Sequence, residues 1–531
     1  MRYKWTALLI AIAAITAATA LGQDASFTEM IDVRVINLEV VVTDRAGDRV
    51  PDLGPEDFEI EFDGEPIAVD YFSEIREGRA VARDNQGPPG APYATAGEPV
   101  PTRMLLFIDG AFGMPQAYAR MSRAAAEQVD SLGPEEQIAI IFYDGQELTM
   151  LSDWTSDGDQ LRQALASLED DDFHGPYRLR DWRSYQRSIG EELRYVAETG
   201  VRGDPATPLA DLPEFAVVKK TLERQIDRVS RAIGASLYRF ADIEGRKTAL
   251  LWSGGWPWSS FEFLRTPWNR DLSSARRSET SLGGVVDTAN RLGYTLYMAD
   301  SPIDFYGVRA SIQQHDTLHS LAAGTGGEAF TNSGAVRALD RAREDTRSYY
   351  WLGVTVEGEG DGDRRKVKIK SKRRGLKVRA RETWLDLPTE ELVSQKVEAL
   401  AFFSATMSGD SATGLAETNP LQLEFGEPTL DRRRARVPLT VGIPLEAITM
   451  LPGQDGYSAK LEVRISVIDE EGGLNEMPVV PVEFSGPEPQ AGAIYYFDTQ
   501  LEMRRKNHEV TVAVYDAISG SLLSGRHQLD L

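Results

Sequence analysis

Cysteine does not occur anywhere in the 531 residues of this chain. Its absence excludes disulfide bonds, thiol chemistry and metal sites that depend on cysteine ligands. It also excludes a lipid attached to an N-terminal cysteine. Large domains with ample hydrophobic cores are stable without disulfides, so this composition is compatible with export from the cytoplasm.

The chain also has no excess of positive charge, and its formal net charge is −24 at pH 7. Such a field repels nucleic acid and anionic lipid, and it keeps an exported protein soluble. The short basic segment Arg364–Lys370 alternates charged with apolar residues, as the solvent face of a half-buried strand does. We therefore expect no nucleic-acid partner.

The apolar run at residues 7–20 is short for a membrane-spanning helix. It follows Arg2 and Lys4 and precedes small residues near Gly22, which is the layout of a secretory signal peptide. No later stretch is apolar and long enough to span a bilayer, so we expect no transmembrane segment in the mature chain. These features predict a secreted or periplasmic protein of the cell envelope.

The periodicity of apolar residues changes along the chain, which indicates several domains. Residues 103–346 alternate buried-strand patterns with helical patterns, and this predicts an α/β fold with a doubly wound, mostly parallel sheet. The two-residue period of β-strands precedes and follows this section. We predict a signal peptide at 1–22, an N-terminal β unit at 23–84, a linker at 85–102, the α/β domain at 103–346, further strands at 347–385, and a helix plus a β-sandwich at 386–531.

The N-terminal β unit is too small to be stable alone, since it offers about four short strands with unpaired edges. Three strands predicted after residue 347 would raise the total to about seven, the size of an immunoglobulin-like sandwich. We therefore predict that the α/β domain is inserted into one β-sandwich that both flanking segments form.

Seven short motifs follow one another in a fixed order between residues 32 and 384. They are Asn37–Asp44, Leu53–Phe58, Leu105–Asp109, Gln137–Asp144, Leu321–Gly327, Ser348–Gly353 and Arg365–Ile369. In this order they resemble the family of secreted bacterial von Willebrand factor A-related proteins. The resemblance implies an A-type α/β domain that recognises a protein or a surface.

A-type domains usually hold a divalent cation at the carboxyl ends of their strands, through the pattern Asp-x-Ser-x-Ser and two further ligands. Here Asp109 begins the corresponding segment, but the two hydroxyl positions are Ala111 and Gly113. Ser253 stands where the resemblance implies an aspartate, and Thr207 matches the threonine ligand. We therefore expect a degenerate metal site at Asp109, Ser253 and Thr207 that binds neither magnesium nor calcium, and we expect no other cofactor. Asp109 would instead cap the turn that follows it.

Large aromatic residues follow the fourth strand of the α/β domain, at the edge where open sheets bind ligands. If these rings are exposed, they would anchor a protein or glycan partner. If the loop folds back, they would form a small core of their own. The candidate anchors are Trp256, Trp258, Phe261 and Trp268.

Motifs of known enzymes are missing from the sequence. His315 and His319 lie one helical turn apart, but the glutamate base and third ligand of a metalloprotease do not accompany them. The Gly-x-Ser-x-Gly turn of a hydrolase and a phosphate-binding loop are also absent. We predict a non-catalytic protein that binds a protein or glycan partner outside the cytoplasm. A structural scaffold of an envelope assembly is the alternative, and a hydrolase without a recognisable motif is a third.

Overall fold

The structure is a computed structural model of the whole chain. It describes residues 32–81, 97–168, 184, 213–241, 245–257, 282–300, 308–331, 335–407, 421–453, 456–469, 479–487, 490 and 492–531. The predicted signal peptide and most of the predicted linker therefore lie outside the described residues. Within the described ranges, no helix has the length and hydropathy needed to cross a membrane.

The strands alternate with helices in the middle of the chain and follow one another directly at both ends. In chain order, the strands are β1 (Asp32–Thr43), β2 (Phe58–Phe62), β3 (Glu65–Ile67), β4 (Tyr71–Arg76), β5 (Arg79–Val81), β6 (Thr102–Asp109), β7 (Glu136–Tyr143), β8 (Leu148–Thr155), β9 (Arg246–Ser253), β10 (Tyr294–Asp300), β11 (Ala329–Phe330), β12 (Tyr349–Gly358), β13 (Arg364–Ser371), β14 (Lys377–Arg379), β15 (Thr383–Leu385), β16 (Gln422–Phe425), β17 (Thr429–Leu430), β18 (Arg434–Pro444), β19 (Leu451–Gly453), β20 (Gly456–Asp469), β21 (Val479–Gly486), β22 (Ile494–Arg504), β23 (His508–Asp516) and β24 (Leu522–Leu529). The helices are α1 (Pro115–Ala126), α2 (Gly158–Ser167), α3 (Pro213–Arg239), α4 (Leu282–Leu292), α5 (Val308–Gly324), α6 (Ala335–Arg347) and α7 (Thr389–Thr406).

A six-stranded sheet forms the centre of the predicted α/β domain, in the order β11-β10-β9-β6-β7-β8. Its neighbouring strands are parallel except β7 and β8, which are antiparallel. Helices α1, α2 and α6 cover one face of the sheet, and α3, α4 and α5 cover the other. This is the doubly wound arrangement that the sequence predicts for residues 103–346, and we call this unit the A-like domain after the resemblance described above.

The apolar run of β6 shows why these strands are recognisable in the sequence. Leu105 and Phe107 pack into the core under α3 to α5, whereas Leu106 and Ile108 pack into the core under α1, α2 and α6. All four side chains are buried because successive residues of a strand point to opposite faces and helices cover both.

Strands from both sides of the A-like domain share two sheets, which we call the first sandwich. One sheet has the order β14-β1-β12-β4-β5, and the other has the order β15-β13-β2-β3. The β1–β12 register runs antiparallel from Asp32 opposite Gly358 to Val40 opposite Tyr350. The two sheets enclose one apolar core, so segments from both sides of the A-like domain contribute to a common β structure.

The C-terminal strands form a second sandwich around a core of their own. One sheet contains β16, β17, β18 and β22, and the other contains β19, β20, β21, β23 and β24. Helix α7 precedes this sandwich in the chain, packs along α3 and also contacts β20 and β23. Its Phe402 and Phe403 therefore belong to the core of the A-like domain, which the sequence pattern of an isolated helix did not predict.

Buried polar contacts join the A-like domain to the first sandwich around Asp345, near the end of α6. The Asp345 carboxylate contacts Arg49 and accepts hydrogen bonds from Arg379 Nη2 at 2.5 Å and Tyr297 Oη at 2.5 Å. Arg246 donates to the Asp345 carbonyl oxygen. Burial, and then Arg379, lowers the pKa of Arg49 to about 10. The negative charge of Asp345 thus offsets the positive charges of Arg49 and Arg379, which lie close together.

Candidate functional site

Asp109 and Ser253 lie side by side at the carboxyl edge of the A-like sheet, where β6 and β9 end. The register pairs Ile108 with Trp252, so the next residue of each strand is adjacent to the other strand's end. The strand order reverses between β6 and β9, and this is the switch point where open α/β sheets bind ligands. The structure therefore brings together two of the three predicted metal-site residues. The third, Thr207, lies outside the described residues.

Neutral donors from the protein itself bind the Asp109 carboxylate. Ser253 Oγ donates to Asp109 Oδ2 at 2.7 Å, and the Phe112 amide donates to Asp109 Oδ1 at 3.1 Å. The Gly255 amide in turn donates to Ser253 Oγ at 3.0 Å. Asp109 and Ser253 are both 0% exposed, so these bonds form away from bulk water. The carboxylate holds the turn after β6 and links it to the turn after β9.

Tyr118 fills the space beside Gly113, where the A-type pattern has a serine. A Cβ atom added to Gly113 would lie 1.9 Å from the Tyr118 ring, so a serine cannot fit unless the ring moves. The Tyr118 hydroxyl lies 2.7 Å from the carbonyl oxygen of Asp109 and 3.1 Å from that of Trp252. This buried tyrosine ties together the ends of β6 and β9. Sequence reasoning missed it, although a glycine at position 113 was a signal that a large side chain occupies the space beside the backbone there.

Trp256 is buried inside the protein, just after the carboxyl end of β9. It is 0% exposed, and its ring centroid lies 6.1 Å from that of Phe112 in the core under α3 to α5. The prediction that Trp256 is an exposed partner anchor is therefore wrong, because its ring is already covered by the protein. The other candidates, Trp258, Phe261 and Trp268, lie outside the described residues.

A second polar pair occupies the same edge one strand further on. Asp300 ends β10 in register with Ser253, and its Oδ2 lies 2.8 Å from His315 Nε2 on α5. His315 is therefore half-buried and paired with an aspartate, whereas His319, one helical turn later, is exposed. Polar residues at the ends of parallel strands meet along one edge of the sheet, and this rule would have identified Asp300. Applying it requires knowing that β10 pairs with β9, which the sequence alone did not give. No cluster of three or more histidine or acidic side chains suited to a metal ion occurs in the described part of the chain.

The described residues at the switch point fit a divalent cation poorly. Magnesium requires about six oxygen ligands in near-octahedral geometry, usually including carboxylates and waters. Here one carboxylate is engaged by a hydroxyl and an amide, Ala111 has no ligand atom in its side chain, and Tyr118 fills the space beside Gly113. Opening a cation site would require breaking these contacts. The arrangement around Asp109 and Ser253 is suited to fixing the two turns that follow β6 and β9.

Comparisons with known proteins give only distant structural similarities. No family model matches the chain, and no curated protein matches it. The pilus adhesin SpaC from Lactobacillus rhamnosus GG is similar at 9% identity and a TM-score of 0.24, over 94% of this chain and 61% of SpaC. A mutant of the PilB minor pilin from Streptococcus sanguinis is similar at 8% identity and a TM-score of 0.24, over 60% of this chain and 87% of PilB.

A Bacteroides uniformis β-glucuronidase is similar at 12% identity and a TM-score of 0.16, over 35% of this chain and 19% of the enzyme. The chain thus spans about a fifth of the length of that enzyme. At such low identities and TM-scores, none of these similarities carries an argument about function.

Proposed function

We propose that this protein is an exported, non-catalytic recognition protein related to the von Willebrand factor A-related family. In this proposal it binds a protein or glycan partner outside the cytoplasm and does so without a bound metal ion. The A-like domain supplies the binding edge, and the two sandwiches hold that domain within the cell envelope or at its surface.

The arrangement of Asp109, Ser253 and Tyr118 is the observation that supports this proposal most strongly. Metal-dependent recognition by an A-type domain needs a cation with a coordination position left for the partner's carboxylate. In this chain the strand-end carboxylate is bound by Ser253 and Phe112, and the Tyr118 ring takes the neighbouring space. A partner would therefore have to be held by side chains and backbone of the surrounding loops.

We propose the segment of the chain that follows β9 for partner contact. Its first residues are fixed, since Trp256 is buried and the Gly255 amide is bound to Ser253. The chain continues from this edge into the segment that contains Trp258, Phe261 and Trp268. Large aromatic side chains of this kind are the commonest anchors of protein interfaces.

Binding of the immobilised protein to a cell-envelope extract, with and without EDTA, tests this proposal. We expect the same partner to be captured in both conditions, and to be lost from a Trp258→Ala/Trp268→Ala variant that folds normally. Loss of an anchor costs about 2 kcal/mol or more, which corresponds to a reduction in affinity of roughly 30-fold. Tyr496→Ala is the matched control, because Tyr496 is a large aromatic residue, 54% exposed, on the second sandwich. Capture that requires a divalent cation, or that is unchanged in the double variant, contradicts the proposal.

A scaffold role is the second candidate, and the contacts between domains favour it. Asp345 ties the A-like domain to Arg49 and Arg379 of the first sandwich, while α7 joins its core to the second sandwich. Three domains joined in this way would hold the neighbouring parts of an assembly at fixed positions, and none of them would need to bind a ligand. A capture profile that survives the loop substitutions but fails when the Asp345 contacts are broken would favour this role.

A further inference from the structure

A cleft of about 310 Å³ lies between α3, α4 and α7, on the helical face of the A-like domain and away from the carboxyl-edge site. We call it the helix cleft. Its walls come from all three helices, and Ile468 at the end of β20 contributes from the second sandwich. The volume is at the lower end of the roughly 300–1,000 Å³ typical of small-molecule sites. The helix cleft is therefore large enough for a small ligand.

Two glycines keep the helix cleft open. Gly234 of α3 and Gly284 of α4 both line it, and a Cβ atom added to either would have no heavy atom within 4 Å. Protein interiors are close-packed, and glycine inside a helix is about 1 kcal/mol less favourable than alanine. Helices α3 and α4 thus each carry a residue without a side chain at the helix cleft, where larger side chains packed against α7 would fill the space.

The apolar part of the helix cleft is formed by Val285, Phe402 and Ile468, and apolar surface dominates its lining. These side chains come from α4, α7 and β20, so they surround the space from three directions. An alkyl or similar apolar group entering the helix cleft would remove both its own surface and theirs from water, which is favourable by about 25 cal/mol per Å².

Among the polar groups that line the helix cleft, a carboxylate and a serine oxygen are available as hydrogen-bond acceptors. Glu398 of α7 lines it and makes no hydrogen bond or ion pair with the described residues, although its side chain is exposed at the mouth. Partial burial raises the pKa of the Glu398 carboxyl above its ordinary value. Ser230 donates its hydroxyl proton to the Ile226 carbonyl at 2.8 Å and so offers only lone pairs to a ligand. Arg231, the cation that lines the helix cleft, is paired with Asp227 at 2.8 Å.

We propose that the helix cleft binds a small amphiphile with an apolar body and a primary ammonium head, with the head against Glu398. The charged side chains that line the helix cleft are Asp227, Glu398 and Arg231. Because Arg231 is paired with Asp227, the negative charge of Glu398 is left for a cationic ligand. An ammonium group also donates hydrogen bonds, which the Glu398 carboxylate and the Ser230 oxygen can accept. An anionic amphiphile of the same length would place like charges together at the mouth.

Isothermal titration of the full-length protein with decylammonium and with decyl sulfate, both below the concentrations at which they form micelles, tests the proposal. We expect saturable binding of decylammonium at one site, and binding of decyl sulfate that is at least about tenfold weaker, the factor expected for one charge-assisted hydrogen bond. Absence of saturable decylammonium binding, or equal affinity for the two compounds, would overturn it.

Three substitutions locate the ligand. Gly234→Leu should abolish binding by filling the helix cleft, and Gly234→Ala should weaken it while leaving the helix at least as stable. Glu398→Gln should reduce decylammonium affinity about tenfold and remove the preference for the cation. Glu390→Gln is the matched control, since it removes the same charge from an exposed position of α7 outside the cleft, and it should bind as the unchanged protein does. Full affinity in both Gly234 variants, or an equal loss in Glu390→Gln and Glu398→Gln, would contradict this location.

Discussion

Two fully buried aspartates, Asp109 and Asp345, lie at opposite edges of the A-like sheet and have opposite surroundings. At the carboxyl edge, Asp109 is bound by a serine hydroxyl and a backbone amide. At the amino edge, where β9 begins with Arg246, Asp345 is bound by arginines and a tyrosine. Both aspartates are 0% exposed. The partners of Asp109 come from the A-like domain, whereas Arg49 and Arg379 come from the first sandwich.

The different partners of the two aspartates indicate that Asp109 has a role within one domain and Asp345 a role between two domains. Asp109 holds two turns of one domain in place, and in doing so it takes up the position at which an A-type domain usually presents a metal ligand. Asp345 joins two domains, because its charge offsets arginines that the first sandwich brings to the interface. The predictions below test that contrast, beginning with the largest expected effect.

The largest effect is expected for Asp345→Asn. The substitution removes the buried carboxylate that faces the partly exposed Arg49 and Arg379, and the acidic contact that remains for Arg379 among the described residues is a longer one, with Glu328 at 3.8 Å. Breaking an ion pair at a buried charge costs about 3–5 kcal/mol. Urea unfolding followed by tryptophan fluorescence measures the loss. Glu344→Gln is the control, since the neighbouring Glu344 side chain is 64% exposed and pairs with Arg341 at the surface. Equal stability of the two variants would show that Asp345 does not hold the interface.

A smaller loss, about 3 kcal/mol, is expected for Gly113→Ser, because overpacking a filled core forces the buried Tyr118 ring to move. Gly133→Ser provides the comparison, since an added Cβ there meets its nearest atom at an ordinary 3.6 Å. Thermal unfolding of both variants measures the difference. If Gly113→Ser is as stable as Gly133→Ser, the carboxyl edge is looser than the structure indicates and could be reopened by a single substitution.

The smallest effect is expected for Tyr118→Phe, which keeps the ring and removes only the hydroxyl. The carbonyl oxygens of Asp109 and Trp252 then lose a buried donor, at a cost of about 1–2 kcal/mol. Tyr496→Phe, on the exposed face of β22, should change the midpoint of unfolding by much less. A neutral Tyr118→Phe would mean that water replaces the hydroxyl and that this edge is accessible to solvent.

The strand pattern carried enough information to predict the A-like sheet and the sharing of strands across it. Strands of continuous apolar residues such as Leu105–Ile108 occur where helices cover both faces of a sheet. Such a run in the sequence therefore predicts a sheet between two layers of helices. The small N-terminal unit could be matched with the strands after residue 347 because neither could bury its edges alone. The precise domain limits remain predictions.

The closure of the carboxyl edge could be predicted only in part. The loss of ligand residues at Ala111 and Gly113 was visible in the sequence, but the Tyr118 ring in that space depends on how α1 packs against β6 and β9. Trp256 was assigned to the wrong environment because aromatic composition does not reveal whether a ring faces the core or the solvent. The position of α7 was likewise invisible, since an apolar helical pattern predicts a buried face but not the partner that buries it.

Calorimetric titration of magnesium into the unchanged protein and into Asp109→Ala tests the central claim, a metal-independent carboxyl edge, most directly. We predict no saturable binding of magnesium at sub-millimolar concentrations in either protein, because Ser253 and Phe112 already bind the Asp109 carboxylate and Tyr118 fills the adjacent space. Saturable sub-millimolar binding that disappears in Asp109→Ala would contradict the account and restore a metal-dependent recognition site.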